Sequence, residues 1–465
     1  MSSLWTVKQV AAAAGANAAA DGAITGVSID TRTLQPGDLF VALKDARDGH
    51  DFAGDAIAHG AAAALVSRDI AGVVPEKLIK VHDVQAALEA LGRTRRAEVS
   101  ARVAAVTGSV GKTSTKEALL HLLGLQGRAH ASAASYNNLW GVPLSVARMP
   151  RDTQFGIFEI GMNHANEITP LTAQVRPHVA IVTMVAAVHL EHFDSVASIA
   201  DAKGEIFSGL EPGGVAVING DLEWTERLKG HAAKAKPSRV ITFGRAAACD
   251  VRLTDLKLDE EGSDAAVTLF GKTMRYRVGA PGEHWALNSL GVLAVIASLG
   301  ADAERAAGDM ASLSALAGRG ARQRITSAKG AFDLIDESYN ANPLSMAVSI
   351  ATLARTKPAP GGRRIAVLGD MLELGATGPE LHAGLAKPLA EHGIDLVFAS
   401  GPLMNHLWPA IAPRQRGGYA SASSGIAHAV ADTVRAGDIV MVKGSNGSKM
   451  RLVVEALRAL AAAHQ

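Results

Sequence analysis

The sequence predicts an α/β protein of three domains, and two observations indicate that class. At 465 residues, the chain is too long for one ordinary hydrophobic core, since domains usually hold about 100–200 residues. Apolar runs typical of buried strands also alternate with helix-forming segments, as in parallel sheets covered by helices. We expect a small N-terminal α/β domain at 1–97, a central parallel-sheet domain at 98–315 and a C-terminal Rossmann-like α/β domain at 316–465.

The composition is that of a globular protein without an overall charge to direct its binding. Hydrophobic residues make up 48% and charged residues 20% of the chain, and 46 lysines and arginines balance 45 acidic residues. We therefore expect neither nucleic acid nor a membrane as a partner. Cys249 is the only cysteine, which excludes an intrachain disulfide and suits a reducing cytoplasm.

No segment of the sequence predicts export or membrane insertion. The first residues lack a basic region followed by a long apolar core, so we expect no secretory signal. Apolar runs such as 179–188 are bounded by histidines and are too short to span a bilayer. We therefore predict a cytoplasmic protein.

The N-terminal domain is predicted to be an alanine-rich α/β unit. Helical spacing at 4–14 precedes a segment at 26–32 that is expected to be a strand running into a polar loop, and further strands are expected at 39–43 and 63–66. Polar clusters follow two of these strands, and their spacing alone does not separate ordinary turn chemistry from a binding role. The clusters are Ser28, Asp30, Thr31 and Arg32, and Asp48, Gly49 and His50.

The central domain opens on a glycine-rich turn, Thr107-Gly108-Ser109-Val110-Gly111-Lys112-Thr113-Ser114. An apolar run at 103–106 precedes it and a helix-forming segment at 115–125 follows. In a strand, turn and helix of this kind, backbone N–H groups and the helix N-terminus cradle phosphates. Lys112 would reach the outer phosphates, and the Thr113 hydroxyl would bind magnesium. Val106 replaces the first glycine of the usual phosphate-loop spacing, so an ordinary strand-to-helix turn stays open as the alternative.

Polar residues follow the next strands of this domain, expected at 155–160, 179–185 and 215–219. Open α/β sheets bind ligands where their strands end. Glu159 at the first strand end suits magnesium, and His189 follows the second. His189 and His192 together could indicate zinc, but no third ligand is signalled, so we reject a zinc site. Lys203, taken alone, is an ordinary exposed lysine on a helix.

The remaining segments complete the α/β pattern. A hairpin at 251–278 and a helix at 282–299 end the central domain. The last domain begins near 317–320, and strands at 332–335, 364–368, 396–399 and 439–442 alternate with helices. The amphipathic helix at 449–463 is expected to pack on the last sheet.

Taken together, four motifs resemble the ATP-dependent Mur ligases. The phosphate loop of that family is also a short form without the leading glycine. The motifs are Gly108-Ser109-Val110-Gly111-Lys112-Thr113-Ser114, Glu159-Ile160-Gly161, His189-Leu190-Glu191 and Ala202-Lys203-Gly204-Glu205-Ile206-Phe207. The stretches 137–143, 163–168, 336–343, 368–375 and 443–445 are similar to the branch of the family that adds D-alanyl-D-alanine.

The resemblance implies an acid–amino-acid ligase with a P-loop-type central domain. Its substrates would be UDP-N-acetylmuramoyl-tripeptide and D-alanyl-D-alanine, joined through an acyl phosphate in peptidoglycan precursor synthesis. Its cofactors would be ATP and two Mg²⁺ ions, with Lys203 carrying a carbamate that binds the second ion. We expect a monomer.

The resemblance also assigns roles to residues. The catalytic set would be Lys112, His189 and Lys203, with His164 as a candidate base for the amine. The metal ligands would be Thr113, Glu159, His189 and Lys203. ATP would be held by Gly108, Ser109, Val110, Gly111, Lys112, Thr113, Ser114, Asn288, Arg319, Glu337, Tyr339 and Asn340. The UDP-linked substrate would be held by Ser28, Asp30, Thr31, Arg32, Asp48, Gly49, His50, Asn137 and Asn138.

Three positions depart from the family pattern. Thr31 stands where serine is frequent, and it keeps the hydroxyl. Trp285 replaces an asparagine of the family motif Gly-x-His-Asn-x-x-Asn, which puts contacts with the nucleotide base in question. Asn166 stands where glycine is usual, which could alter a turn near the metal.

Three alternatives stay open beside this interpretation. One is another Mur-type amino-acid ligase, although the Asp-Asn-Pro-Arg motif of the diaminopimelate- or lysine-adding enzyme is absent from the sequence. Another is a P-loop kinase or GTPase switch, although no Asn-Lys-x-Asp base-reading motif occurs. The third is a nucleotide-binding regulator without turnover, which would not need the whole set of Lys112, Glu159, His189 and Lys203.

Overall fold

A computed structural model describes residues 3–133 and 135–462 and divides the chain into two compact units. The first unit comprises the residues up to Thr183, together with Asp201–Phe243 and Gly291–Ala306. The second comprises Met184–Ala200, Gly244–Leu290 and the residues from Ala307 onward. In the described part of the chain, no helix is long and apolar enough to cross a membrane.

The first unit begins with a small sheet of four parallel strands, in the order β3-β4-β5-β6. Its elements are β1 (Trp5–Thr6), α1 (Val7–Ala13), β2 (Ala23–Ile24), β3 (Gly26–Ser28), β4 (Asp38–Val41), α2 (Ala53–Ala58), β5 (Ala63–Val66), β6 (Leu78–Lys80) and α3 (Val84–Glu98). Helix α1 starts later than predicted because Thr6 and Gln9 form a capping box at its N-terminus. Strand β3 ends at Ser28, whose hydroxyl donates to the carbonyl of Asp30 at 3.0 Å and turns the chain.

The main sheet of the first unit is parallel, as predicted, in the order β12-β11-β10-β7-β9-β8. Its strands and the helices between them are β7 (Arg102–Thr107), α4 (Lys112–Gly124), β8 (Ala129–Ala131), α5 (Gly141–Ala147), β9 (Phe155–Glu159), α6 (Ile168–Val175), β10 (Val179–Val182), α7 (Val196–Gly204), β11 (Val215–Asn219), α8 (Thr225–Lys234) and β12 (Arg239–Gly244). Of α7, the residues from Asp201 onward belong to this unit. Val103 to Val106 have no exposed surface, which agrees with a strand covered on both faces. The register pairs Val106 with Glu159 and Thr107 with Val182, so β7, β9 and β10 end together at one edge.

The prediction that β10 continues to residue 185 was wrong, and so was the placement of His189 at a strand end. The strand stops at Val182. The next residue, Thr183, donates its hydroxyl hydrogen to the carbonyl of Val110 at 2.7 Å. This bond ties the chain to the phosphate loop and directs it out of the sheet, so His189 lies in the loop before α7.

The second unit contains an antiparallel group of strands and a six-stranded sheet. The predicted hairpin is confirmed as part of the antiparallel group β13-β14-β15. The elements are β13 (Val251–Leu258), β14 (Ser263–Leu269), β15 (Lys272–Val278), β16 (Ala321–Ser327), β17 (Gly330–Glu337), α11 (Pro343–Arg355), β18 (Arg364–Gly369), α12 (Gly378–Ala383), α13 (Ala386–Glu391), β19 (Leu396–Ser400), β20 (Arg416–Ala420), α14 (Ser423–Thr433), β21 (Ile439–Lys443) and α15 (Arg451–Ala462). Helices α9 (Glu283–Ser298) and α10 (Ala303–Asp309) each have residues in both units.

The six-stranded sheet has the order β16-β17-β21-β18-β19-β20, with only β16 antiparallel to its neighbour. Helix α15 packs Val453, Val454 and Leu457 against Phe332 and other buried residues of this sheet. The predicted packing of the last helix is therefore confirmed, although the helix begins at Arg451 rather than at residue 449. The α/β class with parallel sheets is confirmed, while the domain boundaries at 97/98 and 315/316 stay predictions.

Candidate active site

The phosphate loop has the backbone that its glycines allow. Gly108 and Gly111 have φ angles of 153° and 90°, which residues with a Cβ rarely adopt. Gly111 is also the N-cap of α4, where it offers no side chain to bind the first N–H groups of the helix. Those N–H groups and the helix dipole form a site suited to an anion. Lys112 folds over the turn, because its Nζ atom donates to the Gly108 carbonyl at 2.6 Å.

Glu159 lies beside this loop and has the properties of a cation ligand. Its side chain is 1% exposed. One carboxylate oxygen accepts a hydrogen bond from the Thr113 hydroxyl at 2.8 Å, and the other accepts one from the Asn137 amide at 2.7 Å. Gly161 leaves room for the Asn137 side chain, which a Cβ there would approach to 2.9 Å. Both donors are neutral, and the described residues include no ion-pair partner for Glu159, so a cation would offset its buried charge.

Lys203 is buried, and the expectation of an ordinary exposed lysine was wrong. Its side chain is only 2% exposed. Burial, and then the charge of Lys112, lower the pKa of Lys203 well below 10.5. In the part of the chain that the structure describes, no carboxylate forms an ion pair with it. The fold therefore favours a neutral amine at this position.

A cluster that the sequence did not reveal anchors the Lys203 segment. Arg227 donates two hydrogen bonds of 2.6 Å to the Asp201 carboxylate, and the Nε2 atom of His231 lies 2.8 Å from the same group. The His231 ring packs against Gly204, where a Cβ would lie 2.6 Å from the ring. Since Asp201 is two residues before Lys203, these contacts set the position of the buried lysine. No motif in the sequence marks them.

The His189 side chain contacts Glu373, a residue of the 368–375 stretch to which sequence reasoning assigned no role. Its Nδ1 atom lies 2.5 Å from the Oε2 atom of Glu373. Hydrogen bonding to His189 lowers the pKa of Glu373, so the carboxylate is ionised at neutral pH. Both residues belong to the second unit, whereas Glu159 and Lys203 belong to the first.

His164 lies in the loop between β9 and α6, with its side chain 57% exposed. Its Nδ1 atom is 3.0 Å from the Glu167 carboxylate. The neighbouring Asn166 has a φ of 67°, a conformation that asparagine tolerates better than most residues. Its backbone N–H donates to Glu205 at 2.7 Å. The substitution of the usual glycine by Asn166 therefore keeps a left-handed turn.

The predicted nucleotide residues lie in the second unit. The Arg319 guanidinium stacks 4.3 Å from the centre of the Tyr339 ring. Lys443 joins two of the other predicted positions, since its Nζ atom lies 3.3 Å from the Glu337 carboxylate and 3.0 Å from the Asn340 carbonyl. Asn288 lies on α9 and is half-buried.

A cleft in the second unit contains Glu337 and both residues of the altered family motif, His284 and Trp285. Trp285 is 5% exposed, so it fills space rather than offering an amide to a ligand. The Nδ1 atom of His284 is buried without a hydrogen-bond partner in the part of the chain that the structure describes. The cleft thus presents one unsatisfied ring nitrogen beside an apolar indole. Its lining also includes Gly282, Gly320, Arg322 and Arg355.

Within each polar cluster of the N-terminal sheet, the side chains hold one another in place. Asp30 binds the Arg32 guanidinium at 2.6 Å, and the Asp48 carboxylate lies 2.6 Å from the Nδ1 atom of His50. The backbone and ring hydrogen bonds of His50 lower the pKa of Asp48 to about 2. Arg32, with its side chain 79% exposed, is the member most accessible to a ligand. Ser28, Thr31 and Gly49 contribute to the same turns.

Of the two asparagines predicted to bind substrate, Asn138 has a clear local role. Its side-chain oxygen accepts the backbone hydrogen bond of Gly141 at 2.9 Å, just before α5. Asn137 points instead to Glu159. The first unit therefore brings Asn137, Glu159 and the phosphate loop together. In the same unit, the charge of Lys112 adds to burial in lowering the pKa of Lys203.

Comparison with known proteins agrees with these features. The chain matches family models described as "Mur ligase family, catalytic domain" at 23–99, "Mur ligase middle domain" at 106–296 and "Mur ligase, glutamate ligase domain" at 321–446. It is 34% identical to the UDP-N-acetylmuramoyl-tripeptide–D-alanyl-D-alanine ligase of Escherichia coli (strain K12), over 94% of this chain and 95% of that one. It is 30% identical to the ligase of the same name from Rickettsia prowazekii, over 97% of this chain and 99% of that one.

Solved structures of MurF are also similar to this chain over nearly its whole length. The crystal structure of MurF from Acinetobacter baumannii matches with a TM-score of 0.84 and 26% identity, covering 98% of this chain and 99% of that one. MurF ligase from Thermotoga maritima in complex with ADP matches with a TM-score of 0.77 and 26% identity, covering 94% of this chain and 98% of that one. The predicted three-domain class is confirmed. This chain belongs to the Mur ligase family.

Proposed function

We propose that this chain is the ATP-dependent ligase that joins D-alanyl-D-alanine to UDP-N-acetylmuramoyl-tripeptide in peptidoglycan precursor synthesis. The observation that carries the proposal is the buried Glu159 carboxylate, which accepts a hydrogen bond from Thr113. Thr113 lies beside the phosphate loop, in the first turn of α4, whose N-terminus has no side-chain cap. The full-length relatives at 30–34% identity that bear this activity in their names support the choice of substrates. ATP would bind with its phosphates at Gly108–Ser114 and its remaining contacts at Asn288, Arg319, Glu337, Tyr339 and Asn340.

The proposed reaction has two steps. The tripeptide carboxylate attacks the γ-phosphorus of ATP, so that an acyl phosphate forms and ADP leaves. The amine of D-alanyl-D-alanine then attacks the acyl carbon, an amide bond forms, and phosphate leaves with the bonding electron pair. The amine must lose a proton, and His164 beside Glu167 is the candidate base. The protein contributes mainly positioning and charge neutralisation, to which Lys112 adds a fixed positive charge.

The donor set fits magnesium. Thr113 and Glu159 supply the oxygen ligands that Mg²⁺ prefers, and His189 together with a carbamylated Lys203 would hold a second ion. Bound Mg²⁺ would neutralise charge that develops on the phosphate oxygens. The number of ions and the carbamate are part of the proposal.

Burial of Lys203 supports the carbamate. Only a neutral amine can attack CO₂, and the lowered pKa of Lys203 favours that form. The nitrogen forms a bond to carbon and releases a proton, which converts a potential cation into an anion. The nearby positive charge of Lys112 would then stabilise this group rather than oppose it.

The N-terminal sheet would hold the UDP end of the substrate. Arg32 is exposed and anchored by Asp30, so it could bind a phosphate without searching many conformations. We further propose that the domains divide at 97/98 and 315/316 and that the protein acts as a cytoplasmic monomer. The single cysteine supports this location.

Phosphate release with each component omitted in turn tests the function. The full mixture contains UDP-N-acetylmuramoyl-tripeptide, ATP, Mg²⁺ and D-alanyl-D-alanine. We expect release only when all four are present, and Lys112→Ala serves as the inactive control. Release that does not depend on the dipeptide would contradict the proposal, and a single amino acid that replaces it would indicate another Mur-type ligase.

A further inference from the structure

Glu373, in the loop after β18, holds the ring of His189. The residues are 184 positions apart in the chain, yet the Oε2 atom of Glu373 lies 2.5 Å from the Nδ1 atom of His189. A second bond joins the same segments, since the backbone N–H of Glu191 donates to the Glu373 carbonyl at 3.3 Å. The contact therefore involves both side chain and backbone.

The chemistry of this contact determines which ring nitrogen is available. An ionised carboxylate can only accept a hydrogen bond, so the Nδ1 atom of His189 must carry the hydrogen. In the neutral ring, the lone pair then lies on Nε2, on the side of the imidazole away from Glu373. Histidines that bind metals commonly have their other nitrogen fixed by a carboxylate in this way.

The backbone at both ends of the contact is unusual. His189 and Glu373 have φ angles of 55° and 63°. Residues other than glycine adopt this left-handed region infrequently, and the surrounding structure must hold them there. Two such residues that face each other indicate that the fold specifies the contact.

We propose that Glu373 is a positioning residue that orients His189 so that its Nε2 atom can bind the metal. This inference rests on the proposed role of His189 as a metal ligand. His189 falls within the family's middle domain at 106–296 and Glu373 within its glutamate ligase domain at 321–446. The C-terminal domain would therefore contribute to metal affinity through His189, besides any contact with the nucleotide.

Metal affinity in the full-length protein tests the inference without relying on turnover. Mn²⁺ is titrated into the ADP complex in bicarbonate buffer, and free Mn²⁺ is measured by electron paramagnetic resonance. We expect Glu373→Ala to weaken one Mn²⁺ site about 10–100-fold. Glu373→Gln should weaken it less, because the amide oxygen can still accept from Nδ1. The matched control is Glu380→Gln, an exposed glutamate of α12, which should leave the affinity unchanged.

His189→Ala separates failure of this inference from failure of the proposed function. If His189→Ala leaves Mn²⁺ affinity unchanged, the metal role of His189 is wrong and this inference fails with it. If His189→Ala weakens binding but Glu373→Ala does not, only the positioning role is overturned.

A second measurement reports on the ring itself. In protein labelled with [¹⁵N]histidine, the signals missing from His189→Ala identify His189. We expect the Nδ1–H tautomer in the wild type and in Glu380→Gln, and a mixture of tautomers in Glu373→Ala. A wild-type ring that already shows a mixture would overturn the inference even if Glu373→Ala proved unstable.

Discussion

Substitution of Gly204 by alanine tests how the fold holds the neighbouring Lys203. Gly204 has φ and ψ angles of −60° and −22°, so alanine suits its backbone and by itself would stabilise the helix by about 1 kcal/mol. The new Cβ would, however, lie 2.6 Å from the Cγ atom of His231. The ring cannot move freely, because its Nε2 atom lies 2.8 Å from the Asp201 carboxylate.

These opposing effects set the expected magnitude. Overpacking in a tight site destabilises by about 1–3 kcal/mol, so Gly204→Ala alone should destabilise the protein by up to about 2 kcal/mol once the helix gain of about 1 kcal/mol is subtracted. In a His231→Ala background the clash is absent, and the same substitution should stabilise by about 1 kcal/mol. For a domain of 150–250 residues, each kcal/mol shifts the thermal midpoint by about 2–4 °C.

Thermal midpoints of the wild type, the two single variants and the double variant form the assay. Gly204→Ala should leave the midpoint unchanged or lower it in the wild type, and raise it when His231 is replaced. Equal shifts in the two backgrounds would refute the packing between Gly204 and His231, and with it the idea that this cluster positions Lys203.

Three further predictions concern the site and its surroundings. Glu159→Gln should lower turnover about 100-fold or more at fixed Mg²⁺. It should change the thermal midpoint little, because the charge it removes is buried without an ion-pair partner among the described residues. A normal Mg²⁺ dependence of phosphate release would contradict the metal role. Lys203→Ala should abolish turnover, with partial rescue by short-chain acids, and near-normal activity without rescue would contradict the carbamate. Burial lowers the pKa of His178 from 6.5 to about 4, so below pH 6.5 the unfolded chain binds more protons and stability falls as the pH drops towards 4. The variant His178→Asn can still accept the Val103 backbone hydrogen bond. The thermal midpoint of this variant should fall less steeply with decreasing pH than that of the wild type. An equally steep fall would show that His178 does not cause the loss of stability.

Local sequence was enough to predict the α/β alternation, the parallel central sheet and the phosphate loop. These features depend on neighbouring residues, since strand patterns, helix starts and the positive φ angles of Gly108 and Gly111 arise within a few positions. Glu159 was also predictable, because it directly ends a buried strand. Resemblance to a family then gave Lys203 and His189 a role that their own spacing did not.

Tertiary structure alone decided how those side chains are held. From the sequence, Lys203 was an ordinary exposed lysine, and only the packing around it revealed a buried amine with a lowered pKa. Thr183 ended β10 early because it binds the Val110 carbonyl, a contact made 73 positions away in the chain. Glu373 reaches His189 across 184 positions. Contacts between distant segments depend on the path of the whole chain, and local periodicity carries no information about that path.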